Sequence, residues 1–300
     1  MNNNKSEKKV IAVVVTYNRK ELLKECIEAL INQNYKSCNI LIVDNNSTDG
    51  TREHISKYVD GKKVIYDNTG KNLGGAGGFN YGVKKAYELG YDYIWIMDDD
   101  CIVHKDSLEK LMIEDENLQG NYGFLSSKVL WKDGNICKMN RQRKSMVGFV
   151  RDFKEDIIPI EMATFVSLLF KASVVKEVGL PIKDFFIWTD DLEYTRRISL
   201  KYKCYLVSNS IVTHKSKDNN GANIVKDSPD RLERYKYAYR NEVYLYRREG
   251  IKGMLYVHLR NIYTYLRILF ANNENKIKKI NIVNQSTKEG KKFNPKIEKV

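Results

Sequence analysis

The chain has 300 residues, 42% of them hydrophobic and 11% aromatic, enough to bury a substantial core and to exclude a disordered or fibrous protein. Five scattered cysteines (Cys26, Cys38, Cys101, Cys137, Cys204), never spaced C-x-x-C, exclude a disulfide framework and a zinc knuckle. The net charge of +13 is uneven: residues 231–300 hold 17 Lys and Arg against 6 Asp and Glu and so carry +11 of it. That distribution suits a C-terminal region facing an anionic membrane better than a nucleic-acid groove spread over the surface.

The polar start "MNNNKSEKK" runs straight into "VIAVVV", which is too short for a signal-peptide core, and no apolar run reaches spanning length. The expectation is a cytoplasmic protein without a transmembrane anchor. Strands are predicted at Val10–Val15, Asn39–Val43, Lys63–Asp67, Tyr93–Met97 and Tyr122–Ser126, several continuously apolar, as for parallel strands covered on both faces. Between the first two, Leu22, Leu23, Cys26, Ile27, Leu30 and Ile31 repeat at helical spacing. Between the next two, "NNSTDGTREHISKYV" offers a cap-rich turn and then a helix. Strand and helix in alternation predict a doubly wound α/β sheet, whose ligand lies beyond the carboxyl ends of the strands. Those ends are polar throughout: Thr16-Tyr17-Asn18-Arg19, Asp44-Asn45-Asn46-Ser47, Asn68 before "GKNLGGAGGFNYG", and Asp98-Asp99-Asp100.

Further on, "LWKDGN" predicts a hairpin turn and "KMNRQRKSMVGFVRDFKEDIIPIE" a basic, partly mobile loop. "ATFVSLLFKASVVKEVG" returns to strand and helix, and "CYLVSNSIVTHKS" to strand. Residues 231–270 hold eight tyrosines and a helical period through Leu255, Leu259, Ile262, Leu266 and Leu269, predicting at least two amphipathic helices. That stripe suits docking at an inner-membrane face, a cap on the main domain or a homo-oligomer interface. The chain divides into a domain at 1–228, with halves at about 9–130 and 131–228, a helical extension at 229–272, and a Lys/Asn-rich tail at 273–300 predicted to be disordered.

Asp98 and Asp100 stand at i and i+2 on a strand end, so their carboxylates share a face while Asp99 points away. Two like charges so placed make a site for a hard divalent cation. Thr189-Asp190-Asp191 is a second acidic pair, opening a helix whose N-terminus tolerates negative charge.

"VVVTYNRKELLKECIEALINQ", "LIVDNNSTDGT", "NLGGAGGFNYG", "WIMDDD" and "FFIWTDDLEYTRRI", in that order, resemble the inverting family 2 glycosyltransferases with the GT-A fold, over roughly residues 9–215. The resemblance implies a Rossmann-like, mixed but mostly parallel sheet flanked by helices, here with the C-terminal helical extension. It implies that Asp98 faces the ribose or the metal, that Asp100 binds the metal (Mn2+ or Mg2+), and that the metal holds the diphosphate of a nucleotide-sugar. Thr16, Tyr17, Arg19 and Asp44 then match the nucleotide cradle, with Asp44 at the uracil edge, Asp99 at the ribose or supporting its loop, and Asn72 near the sugar or phosphate. In metal-dependent members a histidine at the place of His214 completes the metal site. By the same resemblance Asp191 is the base and Asp190 orients the acceptor.

The Gly-rich segment around Gly74 and Gly75 is similar to that of galactofuranosyl- and rhamnosyltransferase-like members, where the sugar lies against a glycine loop. "FFIWTDD" resembles the W-D-D element of galactofuranosyltransferases, but Thr189 separates Trp188 from the aspartates, so a place for Trp188 at the nucleotide-sugar competes with a core position. The implied donor is UDP-galactofuranose, with dTDP-rhamnose as rival, and the implied acceptor a saccharide or lipid-linked glycan in cell-surface polysaccharide synthesis. A sugar nucleotidyltransferase would need glycine in the first βα loop, and "TYNRKEL" has none. A nucleic-acid-binding protein would account for the basic pI but not for two acidic clusters at element ends.

Overall fold

A computed structural model describes residues 8–300; residues 1–7, most of the polar start read above as lacking a signal peptide, lie outside the described residues. Strand β1 (Val10–Thr16) is buried at every position. Its side chains alternate between two cores: Val10, Ala12 and Val14 join one, Ile11, Val13 and Val15 the other. This is the consequence of strand alternation in a sheet covered on both faces, where each buried Val or Ile contributes about 1.5–3 kcal/mol. Helix α1 (Lys20–Ile31) then packs Leu23, Cys26, Ile27 and Leu30 inward. The alternation continues through β2 (Cys38–Asp44), α2 (Thr51–Ile55), β3 (Val64–Asn68), α3 (Gly74–Glu88) and β4 (Tyr93–Asp98).

After this parallel unit come β5 (Cys101–Val103), α4 (Ser107–Asn117), β6 (Leu125–Trp131), β7 (Ile157–Pro159), β8 (Leu168–Lys171), α5 (Ala172–Val178), α6 (Asp190–Ser199) and β9 (Tyr205–His214). Among the described residues the strands form one sheet in the order β3-β2-β1-β4-β8-β6-β9-β5, with β7 alongside β9. The pairs β1/β2, β2/β3, β1/β4 and β6/β9 are parallel; β8 enters antiparallel to β4 and β6. The strand predicted from Tyr122 begins instead at Leu125. Its register with β9 starts at Leu125 opposite Tyr205; ahead of it the Tyr122 hydroxyl donates to Asp115 at 2.8 Å and the Gly123 N–H to the Lys203 carbonyl at 2.8 Å.

Register places the polar ends. Thr16 pairs with Asp44, Asp44 with Asn68, and Val15 with Asp98. The strand order reverses between β2-β1 and β1-β4, the switch point where doubly wound sheets open a crevice. On the other side of the sheet, Cys101 pairs with His214, which brings the end of β9 to the aspartate triplet.

Two expectations are corrected. The glycine-rich segment is not a loop: it forms α3, and a Cβ at Gly78 or Gly82 would lie 2.5 Å from Val15 Cγ1 or 2.4 Å from Val13 Cγ1, so these glycines let the helix settle on β1. The Lys/Asn-rich tail is not disordered. Beyond α7 (Tyr235–Arg247) and α8 (Gly250–Phe270), residues Lys276–Lys292 form α9, which buries Lys279, Ile282, Val283, Ser286 and Gly290 along one stripe. The last residues return to the main domain: the Leu180 N–H donates to the Glu298 carbonyl at 2.9 Å, and the Glu298 carboxylate pairs with Lys84 and Lys183. Among the described residues no helix is long and apolar enough to cross a membrane.

Candidate functional site

The aligned strand ends form the floor. Thr16 Oγ1 donates to Asp99 Oδ2 at 2.7 Å, and Arg19 Nη1 bridges Asp99 Oδ1 at 3.2 Å and Asp100 Oδ2 at 2.8 Å. Burial lifts the Asp99 carboxyl to about 6 against the pull of Arg19. Asp99 is thus a support that fixes the first βα loop, while Tyr17 stands exposed beside it. Asp44 is buried, with Oδ1 accepting the Ser47 N–H at 2.8 Å and Oδ2 the Tyr66 hydroxyl at 2.6 Å, so its carboxylate is aimed by two donors. Asn72 Oδ1 accepts the Gly74 N–H at 2.8 Å where α3 begins.

Asp98, Asp100 and His214 each offer one ligand atom within 4.8 Å of the others, a carboxylate–carboxylate–imidazole set that suits Mn2+ or Mg2+. The histidine is oriented from behind: His214 Nδ1 lies 2.8 Å from Asn140 Oδ1, whose amide nitrogen is spent on Thr164 Oγ1 at 2.9 Å. Facing a carbonyl oxygen, Nδ1 must carry the hydrogen. A neutral ring therefore turns the Nε2 lone pair toward Asp100 Oδ1, 2.9 Å away, and two acceptors confront each other. Asp100 Oδ1 is buried without a properly aligned hydrogen-bond donor. The arrangement calls for a positive charge between them. A proton can supply it: burial opposes the charged ring, but Asp100, Cys137 and Asp98 hold His214 up to about 10. A divalent cation fits the same place, with Asn140 as the outer partner that fixes the imidazole. Burial and then the Asp100 charge push Asp98 up to about 7, a cost a dication would reverse.

The second acidic pair sits at the start of α6 after a contorted approach. Phe186, Trp188 and Thr189 all take positive φ (63°, 65° and 72°), conformations unfavourable for residues with a Cβ. Two contacts hold the segment. Gly74, itself at φ 72°, lies so close that a Cβ there would fall 2.2 Å from the Phe186 carbonyl oxygen, which accepts the Ala76 N–H at 3.1 Å. From the other side, fully buried Asn241 of α7 donates its amide to the carbonyls of Phe185 (3.0 Å), Ile187 (3.2 Å) and Trp188 (2.9 Å). Removing this donor group in Asn241→Leu is expected to cost about 1–3 kcal/mol by leaving buried carbonyls unpaired. A thermal melt checks it: an unchanged Tm would mean that the Asn241 amide does not hold the segment.

So delivered, Asp190 is buried, and burial, Asp191 and then Asp98 drive its carboxyl well above the usual range. The Asp190 carboxyl thus lies within electrostatic reach of Asp98. Asp191 is half-buried and accepts the Leu192 N–H at 2.7 Å; burial raises it to about 6 despite that bond and the charge of Arg143. A carboxylate titrating there is suited to accept a proton near neutrality. Trp188 takes the core position in part, meeting the Tyr235 ring edge-on at 5.2 Å and packing with the C-terminal helices. Gly75 has open space where a Cβ would be, unlike Gly74.

Asn140, Arg143 and Asn241 escaped the sequence reading. The first two lie in the segment expected to be a mobile basic loop, which is instead tied to the sheet by Gln142, whose amide donates to Ser126 Oγ at 3.0 Å, and to α7 by Arg143, which donates to the Tyr246 hydroxyl at 2.7 Å.

The sequence pattern defining Glycosyl transferase family 2 matches residues 11–179. The chain is 29% identical over 270 residues to galactofuranosyltransferase GlfT1 of Mycolicibacterium smegmatis, covering 82% of this chain and 85% of that protein. It is 25% identical over 197 residues to the poly-beta-1,6-N-acetyl-D-glucosamine synthase of Staphylococcus aureus, covering 65% of this chain and 45% of that one. Among solved structures, S. aureus TarS 1-349 in complex with UDP superposes over 95% of this chain and 72% of that chain with a TM-score of 0.56 at 16% identity. The mannosyltransferase PcManGT from Pyrobaculum calidifontis, in complex with GDP-Man and Mn2+, superposes over 97% of this chain and 77% of that chain with a TM-score of 0.57 at 12% identity. The chain spans under half of the longer TarS chain, 44%.

Proposed function

The chain belongs to Glycosyl transferase family 2 and is a glycosyltransferase with the GT-A fold, and from that premise we propose that it moves galactofuranose from UDP-galactofuranose, with inversion, to a saccharide or lipid-linked glycan on the cytoplasmic side of the membrane, in cell-surface polysaccharide synthesis. The observation that carries this reading is the cluster of Asp98, Asp100 and His214, with ligand atoms within 4.8 Å of one another, at the strand ends and within electrostatic reach of Asp190. The galactofuranosyl donor is supported by the similarity to GlfT1, which extends over 82% of this chain.

In this reading Thr16, Tyr17 and Asp44 receive the nucleoside, Asp44 at the base edge, and Arg19 and Asp99 fix the loop beneath the ribose. Asp98, Asp100 and His214 hold a divalent cation, which when bound neutralises the charge that develops on the diphosphate leaving group. Asn72, Gly74 and Gly75 line the sugar side, with Trp188 at its border. Asp190 orients the acceptor. Its hydroxyl oxygen bonds to the anomeric carbon as the bond from that carbon to the diphosphate breaks, and the hydroxyl proton passes to the Asp191 carboxylate.

A donor screen tests the assignment. With Mn2+ present, UDP-galactofuranose is expected to be turned over and UDP to raise the Tm, both effects being lost on chelation. Turnover of dTDP-rhamnose in its place would overturn the donor, and activity untouched by chelator would overturn the metal.

A further inference from the structure

Helix α8 is built with its apolar side outward. The side chains it buries are Gly253, Val257, Asn261, Thr264 and Ile268, small or polar for the most part. Asn261 and Thr264 are satisfied inside, the first donating to Thr287 Oγ1 at 3.0 Å and the second to the Arg260 carbonyl at 2.9 Å. Its large aliphatic residues face water instead: Ile251 is 89% exposed, Phe270 84%, and Leu255, Leu259, Ile262, Leu266 and Leu269 are all exposed between them. Tyr263 flanks this face, and Ile277, 78% exposed between Lys276 and Lys278, continues the apolar surface onto α9. Burying the polar side of a helix and presenting its leucines to water is unfavourable unless something covers the leucines.

The charge around the face selects the cover. Helix α8 has no carboxylate of its own; Lys252 is exposed on it, while Arg260 is paired with Glu242 of α7 and Arg267 reaches Asn223 at 3.2 Å, and the last 70 residues carry +11. The spacing of Leu255, Leu259, Ile262, Leu266 and Leu269 would serve a two-helix seam, but a second copy would bring the same acid-free helix against its like, without the complementary charges that set such a pairing. An anionic lipid surface offers both what the leucines and Phe270 need and what the cations need. We propose that the outward face of α8, continued by Ile277, is a docking surface for an anionic bilayer, lying in the interface rather than spanning it. Nothing in this surface depends on the identity of the sugar donor.

Flotation of the full chain with phosphatidylcholine vesicles, with and without an equal amount of phosphatidylglycerol, tests it. The wild type is expected to bind the mixed vesicles at least about tenfold more tightly than the neutral ones, and to be released by salt. Leu259→Gln with Leu266→Gln is expected to weaken that binding about tenfold or more. These positions are exposed and far in sequence from the crevice residues, so the variant should keep donor turnover and Tm, which separates lost docking from lost fold. Absence of binding, equal binding to both vesicles, or full binding by the variant would each overturn the proposal. Sedimentation provides the remaining outcome: a wild-type dimer that the same variant dissociates, without vesicle binding, assigns the face to a second copy instead.

Discussion

Asp191→Asn is expected to lower sugar transfer by roughly 10²–10⁴-fold while leaving nucleotide binding intact. The substitution keeps the size of the side chain and its bond to the Leu192 N–H, 2.7 Å in the native chain, and removes only the ability to take a proton. Because Asp191 holds no part of the metal cluster, UDP with Mn2+ should still raise the Tm of the variant. The native pH profile follows from the same carboxyl. Burial places it at about 6, so below that value it is protonated and cannot act as base; kcat/KM should fall tenfold per pH unit on the acid side of 6 and level off above it. The residual rate of Asp191→Asn should lack that limb. A variant retaining at least half the native rate would sink the assignment of Asp191 as base, whatever the pH profile.

The parts of this site that lay open in the sequence are those whose placement is local. A buried strand that ends in Thr16, Asp44, Asn68 or Asp98 carries its polar residue to the sheet edge wherever the fold is doubly wound, so apolar runs and their terminators were sufficient. What the runs could not convey was register: that Val15 stands beside Asp98, and that Cys101 stands beside His214. Asn140 was hidden for a related reason. It sits 40 residues after Asp100 in a segment without periodicity, and only the pairing of β6 with β9 brings that segment under the histidine. The glycine-rich helix was misread because glycine disfavours helices in isolation, whereas here Gly78 and Gly82 remove the side chains that would hold α3 off β1. The tail was misread from its charge. Lysines dominate its composition, yet Ile282 and Val283 fall on one face with Ser286 and Gly290, and the close approach of Gly290 to Val243 lets α9 seal against α7. Composition averages over a helix, but packing requires only one side of it.

Asp100→Ala is expected to reduce transfer at least about 10²-fold and to abolish the added stabilisation that Mn2+ gives with UDP. The carboxylate meets Arg19 at 2.8 Å and His214 at 2.9 Å, and with Asp98 and the imidazole it is one of the three groups proposed to hold the cation. Its loss therefore leaves Arg19 with Asp99 alone and takes the carboxylate away from His214 Nε2, as well as removing a proposed ligand, and a simple fall in rate would not separate these effects. Asn140→Ala does so, since it touches the imidazole from behind and none of the carboxylates. Without the Asn140 carbonyl to hold Nδ1–H, the ring is free to turn, and metal affinity is expected to fall about 10–100-fold while kcat at saturating Mn2+ is kept. A Mn2+ titration of transfer rate reads both quantities. If Asn140→Ala left the half-saturating concentration of Mn2+ unmoved, His214 would not be a ligand in the orientation the structure gives it, and the positive charge between Nε2 and Asp100 Oδ1 would be a proton.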